Sequence, residues 1–404
     1  MKKIVLSILF TTLAACINFP TRFERIENNE LRPITAVFSP YPEAAPGDTI
    51  SVNVHFAGNP VVAIDSLLVS FSVLDNVYGI NDTFTTIEPV TVLDSSMALP
   101  ESISISFTIP DDALDDLIEP FLATADSAIE SIDPAFAALI SPDIIIDQLN
   151  NPDTAFWSSI PDSIADGVLA PALEYTAKRG YFFVTARSQN GTVLKSRAEF
   201  VIRFNSNFEN IPTVSRAIQV NNNPQINWIG VYKVAGDDVF SFDPLDPNFR
   251  GTYEFFCFFN RIDSTCPIDS VITIDTGYSY FFAADSGILV LPGGSRDTTR
   301  DSYVQQVRGS DTVVLEEYFY QWFYENMDES ALPLDSLFVL ERFGQNSITR
   351  MYPPLDARMN HFRVWLAVYD EYFGEFFRPR GMAHARIEGV LEFTQAYKDN
   401  TALQ

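Results

Sequence analysis

Thr49-Ile50-Ser51-Val52-Asn53-Val54-His55-Phe56 alternates polar and apolar residues with period 2, and Ser102-Ile103-Ser104-Ile105-Ser106-Phe107-Thr108-Ile109 does the same. Successive side chains on a strand point to opposite faces, so each stretch puts one face in a core and the other in water. Pro46-Gly47-Asp48 supplies a turn before the first, and Gly58-Asn59-Pro60 stops it. Working outward, residues 180–187 and 197–204 read as strands, with the strong hairpin signal Asn190-Gly191 between them. The pattern predicts a mainly β protein.

One stretch breaks it. Between 111 and 177 the apolar spacing changes to 3–4: Leu114, Leu117, Ile118 and Phe121, then Phe136, Leu139 and Ile140, then Ile164, Val168 and Leu169. Asp111, Asp133, Asp153 and Asp162 stand near the starts of these runs, where a carboxylate caps free N–H groups. The spacing predicts three or four short helices inserted between two strands. They form either a lid over a sheet edge or an arm for a partner. Amphipathic helices usually bury their apolar face internally, which favours the lid.

The second half reads as a diverged copy of the first. Ser102-Ile103-Ser104 is echoed by Ser347-Ile348-Thr349, Val54-His55-Phe56-Ala57-Gly58 by Tyr232-Lys233-Val234-Ala235-Gly236, and Leu31-Arg32-Pro33-Ile34-Thr35 loosely by Asn210-Ile211-Pro212-Thr213-Val214. The shared order predicts two β-sandwiches, 33–206 and 210–396, joined near 205–211 and followed by a tail, 397–404. The first carries the insertion at 111–177 and the second one at 237–311. Tyr181-Phe182-Phe183-Val184-Thr185-Ala186, followed by Asn190-Gly191 and a closing strand, resembles immunoglobulin-like and fibronectin-type-III-like modules. The resemblance implies two tandem immunoglobulin-like sandwiches, without the cysteine pair that spans the sheets in antibody domains.

The N-terminus gives an address. Lys2 and Lys3 precede an apolar run from 4 to 13, too short to span a bilayer, and then comes Leu13-Ala14-Ala15-Cys16. This resembles the lipobox of bacterial lipoprotein precursors. The resemblance implies a signal peptide, 1–15, and acylation of Cys16, palmitate included, with 16–32 as a lipidated tether. Ile17 in place of aspartate leans toward the outer membrane under the enteric sorting rule. The alternative is an ordinary secretory leader with a chance cysteine. A formal net charge of −27 repels nucleic acid and anionic headgroups, so the membrane is reached through lipid alone.

Cys257 and Cys266 bracket eight residues between a strand-like run at 252–259 and another at 270–275. A disulfide across the base of that hairpin suits an oxidising compartment, and the loop-entropy model gives about 2.7 kcal/mol for a ring of roughly ten residues. Two reduced, buried thiols are the other reading.

Catalytic motifs are absent from the sequence: no Gly-x-Ser-x-Gly elbow, Walker loop, His-Glu-x-x-His or dinucleotide fingerprint occurs. His55, His361 and His384 share no ligand spacing and read as surface or edge residues, and neither metal nor cofactor is implied. Asp237, Asp238, Asp243 and Asp246 form an acidic loop, either solvated or a calcium ligand set without EF-hand spacing. The aromatic run is more informative. On a strand, Tyr318, Tyr320, Trp322 and Tyr324 share one face and Phe319, Gln321 and Phe323 the other, with Trp365 and Tyr369 on a neighbour. One face is core. The second is either covered by the inserted segment, which burial statistics favour, or open to a ligand such as a sugar or a protein. The expectation is a non-enzymatic envelope scaffold that binds another envelope protein or a glycan. The rival is a polysaccharide hydrolase with paired carboxylates across a cleft.

Overall fold

The computed structural model describes residues 25–26, 31–58, 64–74, 84–94, 102–114, 116–117, 129–131, 144, 147–148, 153–161, 164, 177–188, 193–203, 223–235, 252–258, 270–285, 288–290, 296–298, 302–307, 310–315, 317–327, 339–340, 347–354, 360–371 and 381–401.

The first sandwich forms as the alternation predicts. One sheet has the order β2 (Leu31–Ser39), β4 (Thr49–Gly58), β7 (Ser102–Thr108), all antiparallel. The facing sheet has the order β3 (Glu43–Ala44), β9 (Val193–Ile202), β8 (Lys178–Ser188), β5 (Ile64–Leu74), β6 (Phe84–Asp94). Only β3 runs parallel to its neighbour, β9. Ile50, Val52, Val54 and Phe56 of β4 point inward and are buried, while Ser51 pairs its hydroxyl with Ser106 on the outer face. Phe71 and Phe200 reach across the core to Phe107, with centroids 4.3 and 5.6 Å away. The far end of the Phe200 ring presses on Gly180, where any Cβ would sit 2.0 Å from Cζ, so a larger residue there would displace this buried ring.

Buried at the end of this sandwich, Arg203 Nε and Nη2 donate to both oxygens of Glu43 at 2.8 and 2.7 Å. A fork of this kind satisfies both charges where water is excluded. Between β7 and β8, helix α1 (Thr154–Ser159) starts where Asp153 accepts from Ala155 N at 2.8 Å. Leu114, Ile129, Trp157, Ile160 and Ile164 are buried. Most of 111–177, with Asp133 and Asp162, lies outside the described residues.

The second sandwich repeats the first. One sheet has the order β11 (Thr252–Phe258), β10 (Trp228–Ala235), β13 (Tyr278–Asp285), β20 (Ile348–Tyr352), β19 (Val339–Leu340). The other has the order β1 (Arg25–Ile26), β18 (Glu317–Asn326), β21 (Asn360–Glu371), β22 (Met382–Phe393), β12 (Ser270–Ile274). Here β12 runs parallel to β22 as β3 does to β9. So β2-β4-β7 corresponds to β10-β13-β20, and β3-β9-β8-β5 to β12-β22-β21-β18, in the same chain order. Two hairpins, β14 (Ile288–Val290) with β15 (Arg296–Thr298) and β16 (Ser302–Val307) with β17 (Ser310–Leu315), fall between β13 and β18.

Several expectations change. The run at 237–311 is not simply an insertion, because β12 and β13 within it are framework strands. β11 and β12 do not make a hairpin, because they lie in opposite sheets. The echo of Ser102-Ile103-Ser104 falls on corresponding strands, β7 and β20, but Val54–Gly58 and Tyr232–Gly236 fall on β4 and β10, which do not correspond. The loose echo at 210–214 lies outside the described residues. Within the stretch 16–32, Arg25–Ile26 pairs with Tyr324–Glu325, and β2 already begins at Leu31. The described part of the tail belongs to helix α2 (Gln395–Thr401), whose Tyr397 hydroxyl donates to Pro354 O. Among the described residues no helix is long and apolar enough to cross a membrane.

Candidate functional site

The aromatic strand β18 decides where the site is. Tyr320, Trp322 and Tyr324 are buried in the second sandwich's core, and Tyr318 packs against it partly buried. Trp322 faces Phe282 of the opposing sheet, centroids 6.2 Å apart, and is 3 % exposed. Trp365 points the other way. The register Phe323↔Trp365↔Arg386 places it on the outer face of β18-β21-β22. The candidate aromatic set is therefore split between two faces.

Among the described residues, that outer face is covered by the first sandwich and β1, where the sequence pointed to the inserted segment. Phe323, Trp365 and Ala367 pack with Ile34 of β2, Ala57 of β4 and Ile26 of β1. The cause is legible in the register: β2 and β4 present an apolar outer patch at one end, and β1 adds Ile26, which is 0 % exposed. The two sandwiches thus meet face to face through sheets that each have their own core on the other side.

Rows of side chains run across this junction. Glu325, Arg363 and Glu388 form one. Arg363 Nε donates to Glu388 Oε2 at 3.0 Å and Nη1 to Glu325 Oε2 at 3.3 Å. Trp365 Nε1 donates to the same Glu325 oxygen at 3.1 Å, and the backbone N–H of Gly58 reaches Glu325 from the first sandwich. Burial pushes the Glu325 carboxyl above its ordinary range, and Arg363, Trp365 and Gly58 pull against that. Trp365 lies between two guanidinium groups, Arg386 at 5.3 Å and Arg363 at 5.9 Å from the ring centroid. Each such contact contributes about 0.5–2 kcal/mol according to its exposure to solvent.

The next row is Gln321, Ala367 and His384. Here the sequence reading of the histidines fails. His384 lies inside β22, half-buried, and its ring lies against that of His55 of β4, centroids 3.4 Å apart with the planes tilted by 32°. His361 is exposed at the start of β21. The linker adds a staple: Asn223 Nδ2 donates to Phe38 O of β2, and Asn223 Oδ1 accepts from Met382 N of β22.

No protein-family model and no curated protein matches the chain.

Other candidate residues are placed as follows. Cys257 is buried on the inner face of β11, while Cys16, Cys266 and the acidic loop Asp237, Asp238, Asp243 and Asp246 lie outside the described residues. Among the described residues no group of three or more His, Cys, Asp or Glu side chains is gathered as metal ligands. Sequence reasoning missed the row Glu325-Arg363-Glu388 and the histidine pair. The available signal was strand parity alone, which puts Glu325 with Phe323 and Arg363 with Trp365 but does not say which strands pair.

Proposed function

We propose that this chain is a lipid-anchored protein of the cell envelope, held on the outer membrane through Cys16, whose two immunoglobulin-like sandwiches form a non-enzymatic scaffold for another envelope protein or a glycan. The observation that carries the reading is the junction. Glu325 accepts from the Gly58 N–H of the first sandwich and Trp365 packs with Ile34 and Ala57, while Arg363 and Trp365 hold the Glu325 carboxylate in place. A fixed pair of sandwiches presents its remaining faces in one constant geometry, which is what a scaffold requires.

Three further features support it. Lys2, Lys3, the apolar run and Leu13-Ala14-Ala15-Cys16 supply the anchor signal. The strand order, with a short strand parallel to the last strand in each sandwich, supports the immunoglobulin-like assignment, and α1 with its buried neighbours supports a helical insertion that packs internally. A disulfide between Cys257 and Cys266 belongs to the same reading, since Cys16 is assigned to lipid and Cys257 is buried on β11. The test is a pull-down of the acylated protein from native envelope. Recovery of one envelope protein or glycan in fixed ratio supports a scaffold. Turnover of a polysaccharide by the purified protein overturns the non-enzymatic reading.

A further inference from the structure

The two sandwiches differ at one corresponding edge. In the second, β19 pairs with the outer side of β20, and Leu340 of β19, 3 % exposed, closes the core there. In the first, β7 holds the place of β20, and among the described residues no strand pairs with its outer side. Ile103 and Ile105 lie opposite the buried Val54 and Val52 of β4, yet both are only half-buried. The backbone groups of the same side point outward. Ile109 N donates to Asp48 O at 2.8 Å, so by the alternation of an antiparallel ladder Ile103, Ile105 and Phe107 bond to β4. Ser102, Ser104, Ser106 and Thr108 therefore turn their N–H and C=O groups to the open edge.

Edge strands normally carry a charge, a proline or a bulge that blocks further pairing. β7 carries none of these. Ser-Ile-Ser-Ile-Ser-Phe-Thr has no charged residue and pairs with β4 in unbroken register, and β4 itself has none, in a chain with 53 acidic and 26 basic residues. We propose that the β7 edge takes the same edge of a second copy of this chain, antiparallel about a two-fold axis at Ile105, so that the two sheets join into one.

The strand is complementary to itself on both faces. The two-fold sets Ser104 against Ser106 of the second copy and Ser102 against Thr108. It also sets Ile103 against Phe107 and leaves Ile105 beside its own counterpart. On the outer face hydroxyl meets hydroxyl. β7 already pairs with β4 in this way, where Ser51 meets Ser106 at 2.6 Å and Thr49 meets Thr108 at 3.0 Å. On the inner face apolar meets apolar, and the half-buried isoleucines are covered. The backbone parity agrees, because Ser104 and Ser106 both turn their N–H and C=O groups to this edge and become a hydrogen-bonded pair. Charge favours the same seam. Two chains of net charge −27 repel each other, and a strip without charged residues brings the fewest like charges into contact. Salt screens the remaining repulsion and strengthens the pairing.

The experiment uses the full chain from residue 16 with Cys16→Ser, so that lipid cannot gather the copies and the anchor is not at stake. Sedimentation velocity should show a monomer–dimer equilibrium that moves toward dimer with concentration and with added salt. Ser104→Cys and Ser106→Cys, mixed and oxidised, should give a cross-linked dimer whose bond maps between those two positions, well above the yield from either variant alone. Ser104→Lys/Ser106→Lys sets like charges opposite each other at exposed positions. It should keep the parent's melting temperature and lose the dimer. A parent that stays monomeric at every concentration and salt overturns the proposal. So does a lysine variant that dimerises like the parent, or a cross-link that forms equally well in the unmixed variants.

Discussion

Trp365 Nε1 donates to Glu325 Oε2 at 3.1 Å, and through that bond the aromatic row of the junction is joined to its ionic row. The two residues sit two positions apart along the sheet on neighbouring strands, since Glu325 pairs with Arg363 and Phe323 with Trp365. A long side chain on one row thereby satisfies a buried carboxylate on the next. The same carboxylate receives the Gly58 N–H, so one acid connects three strands and both sandwiches.

Removing the cation should cost more than neutralising the acid. Arg363→Ala leaves the Glu325 charge buried without its counterion, a loss of about 3–5 kcal/mol for a broken buried pair. Glu325→Gln keeps an acceptor for Trp365 and Gly58 and should cost less. Chemical unfolding of both variants checks the order. Because the folded carboxyl sits above its unfolded value, its contribution is greatest in acid and lost as pH rises through the raised pKa. The deficit of Glu325→Gln should accordingly shrink between pH 4.5 and pH 8, and a deficit that grows would contradict the assignment.

Trp322 and Gln321 are neighbours in sequence with opposite fates. Trp322→Ala deletes a ring packed on Phe282 inside the second core and should cost about 3–5 kcal/mol. Gln321 is exposed, and its replacement by alanine should stay within about 0.5 kcal/mol. Denaturant midpoints at constant slope give both values. A melting temperature indifferent to Trp322→Ala would remove this ring from the core.

How far the sequence leads is seen on β4 and β18. Period 2 in Thr49–Phe56 gives strand, inner face and turn limits, because a half-buried strand writes its burial into alternate residues. On β18 both faces are apolar or aromatic, so alternation cannot tell core from interface, and the covering partner comes from residues 34 and 57, far away in the chain. The parallel strand β3 hides for a different reason, since two residues are too few to show a period, whereas the run at 270–275 reads as a strand but does not reveal its parallel partner β22. The histidine pair was invisible because its members are far apart in sequence and acquire a common environment only when two separately folded faces dock.

The crossing between β11 and β12 sets up a test of the cysteines. With the strands in opposite sheets, a Cys257–Cys266 bond does not close the foot of a hairpin. Non-reducing peptide mapping of protein from an oxidising compartment should give one cross-linked pair. The double Cys→Ala variant should lose about 2–3 kcal/mol, the value for a loop of roughly ten residues. Two freely alkylated thiols in the native protein would exclude the bond.

The anchor makes the last prediction, because β1 fixes where the tether ends. Ile26 is sealed in the junction and Arg25 pairs with Tyr324, so no more than the stretch from Cys16 to Arg25 can reach toward a lipid on Cys16. Nine residues, fully extended at about 3.3–3.6 Å each, reach roughly 30 Å. Acyl chains on Cys16 would therefore hold the junction, not one end of a rod, within about 30 Å of the bilayer surface. Cys16→Ser should abolish acylation and move the protein out of the detergent phase, and mass spectrometry of the mature terminus should find lipid on Cys16. In vesicles of phosphatidylcholine, a donor dye at Gln321→Cys should transfer energy efficiently to an acceptor at the headgroups. Ile26→Asp should weaken that transfer by freeing β1 and lengthening the tether. An unmodified residue other than Cys16 at the mature terminus would end the anchor reading. Normal acylation with a donor far beyond that reach would instead place the error in the docking of β1.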